Sequence, residues 1–220
     1  MKNNIFLKII AVVWAISGIV ILTGVIWPIV SYQTFSKENS QDLLNPVSVK
    51  GTFKVQNDLD LTKASNWFVG GEESSAFGQS KVGYYNISIS KLKIKDAIVA
   101  IGGEDLSKSL IQYPGTALPG KRGNSVIFGH SVLPIFYNPK DYISIFSTLP
   151  TLKIGDDILI NYDNISFKYR VESMFEVYPT DIQVLQQDNS DSFLTLVTCV
   201  PPGDPRKSKR LIVRARVVPL

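Results

Sequence analysis

Phe193-Leu194-Thr195-Leu196-Val197-Thr198-Cys199 is a run of apolar and β-branched residues that ends on a cysteine, and it reads as a β-strand. Eleven residues after Cys199, Arg210 opens a second such run, over residues 210–218. Working outward, residues 125–128 form a third apolar run that leads into Gly129-His130. Residues 157–162 and 165–171 flank Asp163-Asn164, a two-residue hairpin turn, and the second of these strands has room to continue to Val177. From Tyr84 the apolar residues recur with period two: Tyr85, Ile87 and Ile89. The phase then slips to Leu92 and Ile94, as a bulge would cause. Residues 97–101 form a short strand ended by Gly102-Gly103, and residues 181–187 suggest a helical turn. Closely spaced strands with short turns and few helices predict an all-β fold, a closed antiparallel barrel.

The start of the chain is of another kind. Residues 9–30 carry no charge over 22 positions, about the 20 a helix needs to cross a bilayer core. Lys2 and Lys8 precede them without an acidic residue, which predicts a cytoplasmic N-terminus at residues 1–8. Trp14, Trp27 and Tyr32 are candidate interfacial anchors. A cleaved signal peptide would have a shorter apolar core and a small-x-small site, and residues 27–32 offer none. An uncleaved transmembrane signal anchor is therefore expected at 9–30. Residues 31–82 are rich in Ser, Asn, Gln, Lys and Glu and read as an extracellular linker or stalk. Within them, residues 61–68 are more apolar and suited to packing on the domain, and residues 60–65 suit a short helix. Residues 83–220 are the expected barrel domain, with the catalytic part of the chain outside the membrane.

Charge argues against a nucleic-acid partner. The chain has 23 basic and 19 acidic residues. Removing residues 1–30 takes away two lysines and leaves 21 against 19, too even for a polyanion-binding domain.

Cys199 is the only cysteine and His130 the only histidine. A single cysteine in an exported chain forms no internal disulfide, so it is either a reactive thiol, an intermolecular link or a buried apolar residue. One thiol, one imidazole and one guanidinium are the minimum set for acyl transfer through a thioester. The thiolate attacks a carbonyl, the imidazole moves the proton and the cation stabilises the oxyanion. Cys199, His130 and Arg210 are the candidates. Arg214 is the rival cation, since it leaves the same face of a period-two strand.

These motifs resemble the sortase family, the cysteine transpeptidases of bacterial cell surfaces. The fingerprint is the Thr-Leu-x-Thr-Cys pattern at Thr195 to Cys199, followed by a loop and the Arg210-Leu211-Ile212-Val213 strand. Upstream stand Pro114-Gly115-Thr116-Ala117-Leu118-Pro119-Gly120 and then Gly129-His130, in the family's order. The resemblance covers residues 83–220. It implies an eight-stranded closed barrel, with Cys199 as nucleophile, His130 as acid/base and Arg210 as oxyanion stabiliser. It further implies Thr198 as a substrate-binding or hydrogen-bonding residue. The implied donor is a surface protein with a Leu-Pro-x-Thr-Gly-like sorting signal. The implied acceptor is an amine of a peptidoglycan cross-bridge or a pilin lysine. No metal site and no cofactor are expected, and a calcium requirement is left open. Pilus-polymerising members commonly carry a hydrophobic tail and an Asp-Pro-aromatic lid ahead of the barrel. Neither pattern occurs here, so pilus polymerisation is not expected. Two other readings compete: a cysteine peptidase that hydrolyses the same intermediate, and a non-catalytic barrel that only binds.

Overall fold

The structure is a computed structural model, and it describes residues 2–39, 60–69, 83–206 and 208–220. The chain divides into two compact units, Met1–Glu38 and Asn39–Leu220.

The first unit is a helix, α1 (Lys2–Asn39). Its stretch Leu7–Tyr32 is long and apolar enough to cross a membrane. Its 26 residues rise about 39 Å at the usual 1.5 Å per residue, against a hydrocarbon core of about 30 Å. Leu7, Val12, Trp14, Ile19 and Ile21 all stand exposed. Apolar residues on every side suit a lipid surround and not one packed face.

The second unit contains eight strands: β1 (Tyr84–Ile89), β2 (Ile94–Ile101), β3 (Leu110–Gln112), β4 (Gly123–Phe128), β5 (Asp157–Tyr162), β6 (Ile165–Val177), β7 (Ser192–Val200) and β8 (Lys209–Val218). They close into a barrel in the order β1-β2-β3-β4-β7-β8-β6-β5, with β5 pairing back onto β1. The expected closed barrel is present, but it is not wholly antiparallel. β2 runs parallel to β3, and β4 runs parallel to β7. Parallel neighbours need a crossover connection, and the long segment between β4 and β7, which includes the β5–β6 hairpin, supplies one. At the tip of that hairpin, Asp163 and Asn164 both have left-handed φ, 52° and 60°. Two such residues give the turn whose twist matches the flanking strands.

The phase slip after Ile89 is a chain reversal and not a bulge. Ser90–Leu92 forms a 3-10 turn, and Lys93 takes a left-handed φ of 57° before β2 starts. The pairing of β1 with β2 shifts register beside it, between Ile87 and Ile89. β3 is a strand the period-two reading did not anticipate.

Strand register sorts the barrel side chains into two layers. Ile87, Val99, Leu110, Ile127, Leu196 and Val213 share the inner face and are fully buried. The opposite face carries Ala100, Ile111, Val126, Phe128, Val197, Cys199 and Ile212 in one cluster. Residues 60–69 cover that cluster. Ala64–Trp67 is a 3-10 turn, and Ala64, Trp67 and Phe68 join the cluster, with Leu61, Val184 and Leu185 at its edge. Every residue of β7 is therefore buried, although it is a barrel wall. The packing of residues 61–68 on the domain is observed; residues 40–59 and 70–82 of the expected linker lie outside the described residues.

Candidate active site

β7 and β8 pair antiparallel with Cys199 directly opposite Arg210. Directly opposed residues present their side chains on one face, with Cβ atoms about 5 Å apart. Cys199 is 1% exposed and Arg210 2%. Arg214 instead lies opposite Thr195, four residues before the cysteine. It packs over the Phe193 ring at 4.3 Å and pairs with Glu172 and Asp188 at 3.6 and 3.8 Å. That is a solvated ion-pair network of ordinary kind.

His130 follows β4, the strand that pairs with the other side of β7. β4 runs parallel to β7 in a register that ends at Phe128 opposite Val197. Gly129 N–H donates to the Val197 carbonyl at 3.1 Å, so the two chains still run together. Continued for two residues, that register sets His130 beside Cys199. Gly129 is required at this approach. A Cβ there would fall 2.4 Å from the Phe146 ring and 2.5 Å from a Leu110 methyl. The His130 carbonyl accepts from Phe146 N–H at 2.9 Å, and the imidazole is buried.

Thr198 sits between Val197 and Cys199 with its side chain on the inner face. It is fully buried, and its hydroxyl donates to the Gly129 carbonyl at 2.8 Å. Here Thr198 fastens the strand of the cysteine to the segment of the histidine. On the next residue pair, the Ser131 hydroxyl donates to the Cys199 carbonyl at 2.6 Å.

The cover over this face is Trp67. It stacks on Phe128 with ring centroids 5.3 Å apart and planes 10° apart. It meets the His130 ring at 5.9 Å, and the Arg210 guanidinium lies 5.4 Å from its centroid. Arg210 Nε also donates to the Trp67 backbone carbonyl at 3.2 Å, and Nη1 to the Lys209 carbonyl at 3.2 Å. The segment docks through backbone as well. Ala64 N–H donates to Glu104, Leu106 N–H to Thr62 and Val69 N–H to Pro179. Asp60, at its start, has its carboxyl held below the usual range, chiefly by the Thr62 hydroxyl, with a smaller contribution from the charge of His130. The three sequence-predicted groups thus lie under residues 60–69, whose apolar stretch 61–68 was expected to pack on the domain. The apolar character of residues 61–68 was the available signal for it.

Among the described residues, no three His, Cys, Asp or Glu side chains converge in a way that could hold a metal ion. The loop after Cys199 is braced by an ion pair. The buried Asp204 carboxylate takes the Arg206 guanidinium at 2.7 Å and the Arg206 backbone N–H at 2.9 Å.

The family model of the sortase domain matches residues 87–218. A Clostridium perfringens sortase D5 transpeptidase has 28% sequence identity and a TM-score of 0.53, covering 62% of this chain and 79% of that one. A lid mutant of Corynebacterium diphtheriae sortase A has 30% identity and a TM-score of 0.55, covering 64% and 74%. Streptococcus agalactiae sortase C1, in complex with MTSET, shares the fold at 23% identity and a TM-score of 0.55, covering 64% and 72%. No curated protein matches the chain. The neighbours span sortase classes A, C and D and do not assign one class. With a sortase-domain match over more than half its length and a closed barrel that carries Cys199 opposite Arg210, the chain belongs to the sortase family.

Proposed function

We propose that the chain is a membrane-anchored transpeptidase. It cleaves a Leu-Pro-x-Thr-Gly-like sorting signal and transfers the surface protein to an amine. The observation that carries this reading is the pairing of Cys199 with Arg210 on one face, the guanidinium already donating to a peptide carbonyl, that of Trp67. A sorting-signal carbonyl in that position would meet both the nucleophile and the oxyanion donor.

The chemistry runs in two halves. The Cys199 thiolate attacks the threonine carbonyl carbon, and a C–S bond forms. Arg210 stabilises the oxyanion, a contribution typically worth on the order of 10²–10³ in rate. The C–N bond then breaks, and His130 gives its proton to the departing glycine amine. In the second half an acceptor amine attacks the thioester, His130 takes the proton, and the thiolate leaves. The acceptor is a peptidoglycan cross-bridge amine or a pilin lysine, and the domain works outside the cytoplasmic membrane with α1 as its anchor. Thr198 acts in this scheme by holding the two catalytic strands together.

The test is mass spectrometry of a sorting peptide incubated with the full-length protein and a glycine-based amine. Ligated peptide as the main product supports transpeptidation. Free acid as the only product, at saturating amine, would make the chain a hydrolase.

A further inference from the structure

We propose that Ser131 is a positioning residue for the acyl-transfer pair. Its hydroxyl fixes the histidine-bearing segment onto the residue that carries the thiol. The proposal rests on the reading of Cys199 and His130 as the reacting pair.

The reason lies in how β4 ends. Its paired register with β7 stops at Phe128 opposite Val197, and only the Gly129 N–H to Val197 bond continues it. From there the chain turns away into residues 131–136, whose 3-10 turn begins at Pro134. His130 therefore stands on the first residue without ladder support. Two hydroxyls replace the missing bonds. Thr198 donates from β7 to the Gly129 carbonyl, one residue before the histidine. Ser131 donates in the opposite direction, to the Cys199 carbonyl, one residue after it. The histidine is thus bracketed by two bonds that run to consecutive β7 residues, Thr198 and Cys199. Both hydroxyls are buried, Thr198 at 0% and Ser131 at 2% exposure, so water does not compete for either bond. Ser131 is the member that touches the nucleophile's own peptide unit. The Cys199 carbonyl and the Cys199 Cα belong to one residue, so a shift at this bond moves the thiol relative to the imidazole. Displacement of reacting groups by about 1 Å costs on the order of 10²-fold in rate.

Ser131→Ala and Ser131→Thr in the full-length protein test this, alongside Cys199→Ala. Two readouts are needed: steady-state ligation of a sorting peptide, and the pH profile of Cys199 alkylation by iodoacetamide. The charged groups around the pair, Arg210 on β8 and Asp60 on the covering segment, are untouched in both serine variants. Ser131→Ala is expected to lower kcat by about 10- to 10²-fold with KM nearly unchanged. It is also expected to move the alkylation midpoint away from that of the wild-type protein, because the distance between thiol and imidazole changes. Ser131→Thr keeps the hydroxyl and should keep both properties. An alkylation profile that does not move in Ser131→Ala would overturn the proposal, even if activity fell, because loss of stability alone does not retune the thiol. Unchanged kcat would overturn it as well. Failure of the underlying reading looks different: Cys199→Ala would itself retain ligation.

Discussion

Arg210 and Arg214 leave β8 on the same face, and both are guanidinium groups with aromatic neighbours. Their positions separate them. Arg210 is opposite Cys199, while Arg214 is four residues on, about 13 Å along a strand at the usual rise. A guanidinium that far away cannot donate to an oxyanion at the thiol. Arg210→Ala is therefore expected to lose about 10²–10³-fold in ligation rate, and Arg214→Ala to stay near wild type. Arg210→Lys should recover only part, since a point charge does not reproduce the planar fork. Steady-state kinetics on the three variants checks this, and equal losses in the two alanine variants would contradict the assignment. The residues of this candidate site stood out in the sequence because two of them are unique in the chain and the third opens an apolar run. The bracket of Thr198 and Ser131 did not. Serine and threonine are frequent, and which carbonyl a hydroxyl reaches depends on a parallel β4–β7 pairing that no local pattern encodes.

Among the elements, residues 60–69 have the largest consequence for the site. Their hold on the barrel is mainly Trp67, fully buried against Phe128, His130 and Arg210. Truncating a buried tryptophan typically costs about 3–5 kcal/mol, well above the roughly 0–1 kcal/mol of a surface ion pair. The barrel has its own inner core, so Trp67→Ala should release the segment and leave the barrel folded. The expected result is faster alkylation of Cys199 by iodoacetamide, by about tenfold or more if release is worth over 1.4 kcal/mol. An unchanged rate would show that the tryptophan does not limit access to the thiol. The apolar residues 61–68 marked this segment in the sequence as able to pack on the domain, but about ten residues with no sustained period do not show which face of the barrel they cover. β3 escaped for a related reason. Three buried residues, Leu110, Ile111 and Gln112, are too few to display an alternation. The longer strands β5 to β8 were visible because each keeps its pattern for six residues or more.

Over the whole molecule, the closed barrel was legible from the spacing of strands and turns, whereas its two parallel pairings were not, since direction depends on which distant strands meet. The N-terminal helix and the catalytic barrel together predict a domain tethered outside the cell. Protease shaving of intact cells should release fragments of residues 83–220 and leave 9–30 in the membrane. Protection of the barrel in intact cells would contradict that orientation. The central claim, acyl transfer through Cys199, is tested most directly by intact-mass analysis of the full-length protein during reaction with a sorting peptide. The account predicts an adduct on wild-type protein equal to the acyl portion of the peptide, with loss of the glycine amine. It predicts that the adduct disappears when an acceptor amine is added, with ligated peptide appearing in its place. Cys199→Ala should give neither adduct nor product. Ligation by Cys199→Ala within about tenfold of wild type would contradict the thioester mechanism.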